Sequence, residues 1–196
     1  MSKTNTVSSL NLRMTVYCAL FTAFIIIGAY ISIPIPIGPV PIVLSDFFVM
    51  LTGLFLGWKY GLVCTVLYLV LGALGLPVFA GGRAGLAVIL GPTGGFLFGN
   101  LLMVSSIGFI ASKLKPSILS YLIALIIGNI LLYSVGVPRL KFLLNMSWAA
   151  ALAAGFTPFV IGLIIKIAAA AALARVLLPR FKQLLASAQQ AHDEGE

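Results

Sequence analysis

Acidic side chains are almost missing from this chain. Four occur in 196 residues, and three of them, Asp193, Glu194 and Glu196, fall within the last four positions. Asp46 is the only other carboxylate, so a site of paired carboxylates is excluded from the body of the protein. Histidine is equally scarce: the single residue, His192, lies in the same polar end. The two cysteines, Cys18 and Cys64, are each embedded in apolar stretches. Such cysteines read as small buried hydrophobes. No metal-ligand spacing and no partnering histidine arises from so few residues. The chain also lacks Gly-x-Ser-x-Gly, His-Glu-x-x-His, Cys-x-x-Cys and a phosphate-binding Gly-x4-Gly-Lys loop. Gly91-Pro-Thr-Gly-Gly95 has no lysine after it. ATP hydrolysis by a P-loop of its own is therefore excluded, and the sequence offers no cofactor site.

Charge of either sign is thin. Only 8% of residues are charged and 61% are hydrophobic, where a soluble domain carries about 25% charged residues. The class that follows is an all-α integral membrane protein. The net charge of +8 does not point to nucleic acid. Its basic residues are scattered singly or in pairs, without a basic stripe or an aromatic platform. Loop charges of this kind orient a protein in the bilayer.

What is present is a series of apolar segments. A spanning helix needs about 20 mainly apolar residues. Six candidates run from about Met14 to Ile33, Ile42 to Leu56, Tyr60 to Leu76, Thr93 to just before Lys113, Ile118 to Val137, and Pro158 to Leu178. The basic N-terminus ahead of the first is read as the flank of a retained span. Leu140 to Gly155 is expected to be an amphipathic or re-entrant connector. Residues 1–182 form a single six-helix membrane domain on this reading, and 183–196 a polar, disordered tail.

Six crossings put both termini on one side. With that side cytoplasmic, Lys3, Arg13, Lys59, Lys113, Lys115, Arg175, Arg180 and Lys182 lie inside, and Arg83, Arg139 and Lys141 outside. That distribution agrees with the positive-inside bias. It places two irregular segments outside. One is Ile33-Pro-Ile-Pro-Ile-Gly-Pro-Val-Pro41, whose four prolines forbid regular helix. The other is Gly75 to Gly95, with seven glycines, two prolines and Arg83. Irregular backbone at membrane depth is tolerated where it is buried in protein or lines a cavity, so this run is the first place to seek a ligand.

Lys166 stands alone in the sixth span, roughly 12 Å below its start at 1.5 Å per residue. A mid-membrane lysine costs about 2.5–3.5 kcal/mol on insertion scales and normally faces a cavity or a partner. It snorkels to the surface, pairs with Asp46, or holds a ligand carboxylate with Arg83 as a second cation suited to bidentate recognition. Asp46 also suits a helix N-terminus by the dipole. Asn100 and Asn129 either contact a ligand or bond between helices. Tyr68, Phe79, Phe96 and Tyr133 are candidates to pack on a ring. Ala19 and Ala23 form a small-xxx-small pattern that permits close helix approach. With no nucleotide site of its own, uphill movement of a solute calls for an ion gradient or a partner; Asp46 is the one internal residue that could carry a proton, which favours a partner.

Taken together, these segments resemble the BioY family, the biotin-binding S-components of energy-coupling-factor (ECF) transporters. The matching residues are Pro39-Val-Pro-Ile42, Gly53-Leu-Phe-Leu-Gly57, Gly61, Gly75-Leu-Pro-Val-Phe-Ala-Gly-Gly82, Gly91-Pro-Thr-Gly-Gly95, Gly128-Asn129, Tyr133, Gly136-Val-Pro138, Pro158-Phe159 and Lys166. The resemblance covers about residues 13–178. It implies a six-helix bundle in the cell membrane with cytoplasmic termini and an outward-opening pocket for biotin. Ala19 and Ala23 match the motif that contacts a transmembrane coupling subunit, and two ATPase subunits complete the implied transporter. Lys166 matches the lysine near the ligand carboxylate, and Arg83 lies in the loop over the pocket. Two positions depart from the pattern. Leu163 stands where the family often has the aspartate of Asp-x-x-Lys, and Asp46 where it often has glutamine. The departures leave open a related carboxylate vitamin such as lipoate. A membrane enzyme or channel is the distant alternative, for which no supporting residues are present.

Overall fold

The computed structural model describes residues 6–35 and 38–193, with side chains over 13–35 and 38–187. Lys3, Pro36, Ile37 and the last three residues lie outside that set. The first helix, α1 (Thr6–Tyr30), starts earlier than the apolar signal and ends just before an antiparallel two-strand hairpin. In that hairpin Ser32 pairs with Val43 and Ile33 with Ile42, making β1 (Ser32–Ile33) and β2 (Ile42–Val43). The proline run is the connection between them. Leu44 N donates to the Gly28 and Ile31 carbonyls, which ties the hairpin to the end of α1.

The second and third expected spans are continuous in α2 (Ser45–Ala73), broken only at Gly57, with φ 72° and ψ −176°. That backbone region is essentially glycine's alone. The break is a reversal and not a gentle kink. A Cβ on Gly61 would lie 3.6 Å from Gly53 Cα, whereas residues eight apart on a straight helix are separated by about 12 Å. The limbs 45–56 and 58–73 therefore run antiparallel. At 1.5 Å per residue the first limb is about 18 Å long, shorter than a hydrocarbon core of about 30 Å. With the Gly57 turn at one interface, where Lys59 lies over the Trp58 ring at 5.5 Å, Asp46 at the limb's other end stays within membrane depth.

The glycine-rich segment contains a 3-10 turn at Ala80–Gly82 and the short helix α3 (Leu86–Leu90). α4 (Gly94–Lys113) then packs between α2 and α5 (Ile118–Leu143). Glycines make the close approaches. A Cβ on Gly99 would meet the Leu132 carbonyl at 2.8 Å, and one on Gly108 would collide with the Trp58 and Gly57 backbone. α5 continues past the expected end at Val137, because Pro138 removes one backbone donor without ending the helix. The stretch read as a connector is the last turn of α5, a bend and α6 (Trp148–Gly155). Ser147 Oγ caps α6 by accepting from Ala150 N at 3.2 Å. Ala154 of α6 lies against Gly38 of the hairpin connection.

A 3-10 turn at Thr157–Phe159 leads into α7 (Val160–Asp193). α7 runs on through much of the segment expected as a disordered tail. Its leucines, alanines and glutamines there are good helix formers.

Five helices are long and apolar enough to cross a membrane among the described residues. The reversal in α2 makes six crossings, so the protein is a multi-pass, all-α membrane bundle. Its core is formed by Ile25, Val49, Met50, Met103, Val104, Ile107 and Leu125. Ile130, Ile161, Ile164 and Ile165 face outward, each more than 60% exposed. An apolar exterior of that kind suits lipid and not water.

Candidate ligand-binding cavity

One end of the bundle encloses a cavity where the two irregular segments meet. The hairpin contributes Val40, Pro41 and Val43, and the start of α2 contributes Ser45 and Asp46. Tyr68 comes from the returning limb, Phe79, Ala80 and Arg83 from the glycine-rich loop, and Val88 from α3. The head of α4 adds Thr93, Phe96, Leu97 and Asn100, and α5 adds Leu132 and Tyr133. Phe159, in the turn before α7, completes the lining. The cavity's accessible volume is about 80 Å³, well below the range of about 300–1,000 Å³ usual for small-molecule sites. The walls therefore stand close together, and a ligand would part them on entering.

The glycine-rich loop is held in a defined shape. Phe79 N donates to the Arg83 carbonyl at 2.9 Å, and Gly82 N to the Phe79 carbonyl at 2.9 Å. Gly81 and Gly82, at φ 68° and 75°, allow so tight a turn. The Tyr30 hydroxyl at the end of α1 donates to the Pro77 carbonyl, which moors the loop's entry. Its exit is moored by Arg139, whose Nη2 donates to the Leu90 carbonyl at 2.7 Å and whose Nε donates to the Gly91 carbonyl at 3.4 Å. Arg139 is thus a clasp for the C-terminal carbonyls of α3, which lack helical partners.

Phe79 is buried against Tyr68, with ring centroids 5.4 Å apart and planes at 88°. Gly72, one turn beyond Tyr68, makes room for that ring, since a Cβ there would fall on the ring's far edge. Gly72→Ala is expected to lower stability by about 1–3 kcal/mol through overpacking. It should also weaken ligand binding by displacing the Phe79 wall. Thermal unfolding with and without ligand reads both, and an unchanged ligand-induced shift would remove Phe79 from the site.

Six of the eight residues singled out from the sequence as ligand-binding line the cavity: Asp46, Tyr68, Phe79, Arg83, Asn100 and Tyr133. Lys166 does not line it. Its Nζ donates to Asp46 Oδ1 and Oδ2, each at 2.8 Å, and to the Val43 carbonyl at 2.7 Å. Asn129 is placed elsewhere. It donates to the Leu125 carbonyl at 2.8 Å and contacts Met50 Sδ at 3.6 Å. It borders a separate apolar groove between α5, α6 and α7, where Leu163 also lies. Ala19 and Ala23 lie on an exposed face of α1 with Val16, Leu20 and Ile27.

Sequence reasoning missed Ser45, Leu97 and Leu132. Ser45 adjoins the one body carboxylate, which is a usable signal. The two leucines look like any apolar helix residue.

The polar features of the cavity are few. Asn100 is buried, and its Oδ1 has no hydrogen-bond partner. A buried acceptor left unmade costs about 1–3 kcal/mol, so it suits a donor brought by a ligand. Arg83 is exposed at the mouth, with Nε donating to the Ala80 carbonyl at 3.2 Å. It also borders a neighbouring recess formed by the proline hairpin and the glycine turn, which extends the mouth outward. The cavity therefore offers an aromatic slot, an unmet acceptor inside and a guanidinium at the entrance.

Known proteins share this arrangement of chain. The Thermotoga maritima biotin transporter BioY is 44% identical over 163 residues, which cover 83% of this chain and 94% of that one. The Rhizobium etli biotin transporter BioY is 34% identical over 186 residues, covering 90% and 98%. A crystal structure of the S-component for biotin from an ECF-type ABC transporter superposes with a TM-score of 0.80 at 33% identity, over 90% of this chain and 94% of that chain. A match to the BioY family spans residues 1–183, which takes in the hairpin, the glycine-rich loop and most of α7. By fold and by sequence along almost its whole length, the chain belongs to the BioY family.

Proposed function

We propose that this protein is the substrate-binding S-component of an ECF-type transporter, capturing biotin for uptake across the cell membrane. It is a transport subunit and not an enzyme. The observation that carries this reading is the cavity's polarity. An unmet acceptor on Asn100 lies within, the Arg83 guanidinium lies at the mouth, and Tyr68, Phe79, Phe96 and Tyr133 stand between. Biotin presents a flat bicyclic urea with N–H donors at one end and a carboxylate at the other. The related S-component superposes over nearly the whole chain, and the relatives are named biotin transporters.

The exposed α1 face with Ala19 and Ala23 is the docking surface for a transmembrane coupling subunit, and two ATPase subunits supply the energy. Both termini lie in the cytoplasm and the cavity opens outward, a reading the positive-inside bias of the lysines and arginines supports.

Titration calorimetry on the purified protein tests the ligand. Biotin is expected to bind saturably and to outcompete lipoate and other carboxylate vitamins. Heat with lipoate but none with biotin would reject the ligand and keep the class. Arg83→Gln is expected to weaken biotin binding by roughly 10- to 100-fold, the worth of a charge-assisted hydrogen bond of about 1.5–3 kcal/mol. Biotinamide, which lacks the carboxylate charge, should lose much less.

A further inference from the structure

A groove on the outside of the bundle is roomier than the ligand cavity, with an accessible volume of about 520 Å³. α6 and α7 each pack on α5 and are joined through the turn Thr157–Phe159. The slot between them is walled by Ile126, Ile130, Leu152, Leu163, Ile164 and Ile167. Two polar residues of the lining are turned to the protein. Ser134 Oγ donates to the Leu131 carbonyl of its own helix at 2.8 Å. Asn129 donates to the Leu125 carbonyl and is only 2% exposed. Its Oδ1, which has no partner, is itself buried and lies beneath the surface an occupant would touch.

Ile130 and Ile164 point outward, so in a bilayer the groove opens on acyl chains and not on water. Along α5 it reaches from Ile126 to Pro138, about 18 Å at 1.5 Å per residue. That is a little more than one leaflet of a hydrocarbon core about 30 Å thick. The groove thus has the length of one acyl chain lying along α5, and is too short for a helix that crosses the bilayer.

A cation stands at the Pro138 end. Lys141 is three residues further along α5. Its Nζ lies over the Trp148 ring at 5.1 Å and over the Phe142 ring at 4.7 Å. Trp148 is itself part of the groove wall. Tryptophan beside lysine at the end of a span marks the headgroup level. Among the described side chains the one carboxylate is Asp46, which Lys166 holds. No acid of the protein therefore meets Lys141, and its charge is free for an acid brought by the membrane.

We infer that the groove between α5, α6 and α7 is a binding site for one anionic phospholipid, with an acyl chain in the slot and the acidic headgroup beside Lys141. The site is separate from the solute cavity and holds whichever solute that cavity takes.

Trp148 supplies the readout. The chain has two tryptophans, and Trp58 lies at the opposite interface beside the Gly57 turn, so Trp58→Phe leaves Trp148 as the only indole. The full chain with that substitution is reconstituted in vesicles of phosphatidylglycerol and phosphatidylcholine, one of the two brominated in the upper part of an acyl chain. Bromine quenches an indole that it touches. Brominated phosphatidylglycerol is expected to half-quench Trp148 at roughly one-fifth of the mole fraction that brominated phosphatidylcholine needs, the worth of one lysine beside an anionic headgroup. Lys141→Gln should remove that preference. Ser134→Phe, which fills the slot from an exposed position, should remove it as well, and Ile164→Phe is a second filling variant should the first not fold.

Equal quenching by the two lipids would overturn the proposal. A preference that survives both filling variants would put the lipid on the outer surface and not in the groove. Trp148 shielded from both lipids, and uncovered when the protein is diluted into more lipid, would show that a second copy of the chain covers the groove instead.

Discussion

Lys166→Met is expected to destabilise the bundle by about 3–5 kcal/mol, whereas Asp46→Leu combined with Lys166→Met should recover most of that loss. The single substitution strips Asp46 of two hydrogen bonds at 2.8 Å and leaves a carboxylate uncompensated in a site 15% exposed. Removing both charges leaves apolar groups in an apolar place, which is often neutral or stabilising. The same step frees the Val43 carbonyl, which keeps recovery below completeness. Thermal unfolding in detergent, without ligand, reads the effect. A single variant as stable as wild type would show that the pair contributes nothing to the fold, and a double variant no more stable than the single would refute the uncompensated carboxylate as the cause. The double variant should also fail to bind biotin well, which separates stability from function.

The second large effect is expected at the junction of α4 with the turn in α2. Gly108→Ala puts a methyl group into the backbone of Gly57 and Trp58. Neither partner is a flexible side-chain tip, so α4 must move. Overpacking costs about 1–3 kcal/mol and occasionally more, and rigid backbone on both sides puts this case at the upper end. Gly57→Ala acts at the same place by a different cause. Nothing lies within 4 Å of a Cβ there, but φ is +72°, and holding a non-glycine residue in that region costs about 1–3 kcal/mol. Both are measured by unfolding of the purified protein. A Gly108→Ala variant within about 0.5 kcal/mol of wild type, the range of an ordinary surface change, would show that the helices are not in the contact described.

Because α4 carries Asn100 eight residues before Gly108, a shifted α4 should also weaken ligand binding. That effect should be smaller than the loss of stability.

Much of the fold is legible along the chain. Residue-by-residue transfer energies mark the apolar crossings, and Trp58 with Lys59 marks an interface between two of them. Prolines and glycines mark the two irregular segments that become the cavity mouth. Six of the eight proposed ligand-binding side chains do border the cavity, because aromatic and polar residues near those segments have few other places to face. Helix ends were less legible. Pro138 looks like a terminus and is not, since tertiary packing outweighs one lost backbone bond. Asn129 reads equally as a ligand contact or as a bond between helices, and its rotation on α5 turns it toward Leu125 and Met50.

The sequence by itself determined the membrane class, the six crossings, and the fact that one body carboxylate and one mid-span lysine had to be accounted for. It left open whether that lysine meets a protein group or a ligand. Only the tertiary structure shows the protein partner, by bringing Lys166 to Asp46, 120 positions away. Hydropathy is a sum over single residues, so it reports the cost of a charge at a given depth. Which carboxylate neutralises that charge depends on what the fold carries to it.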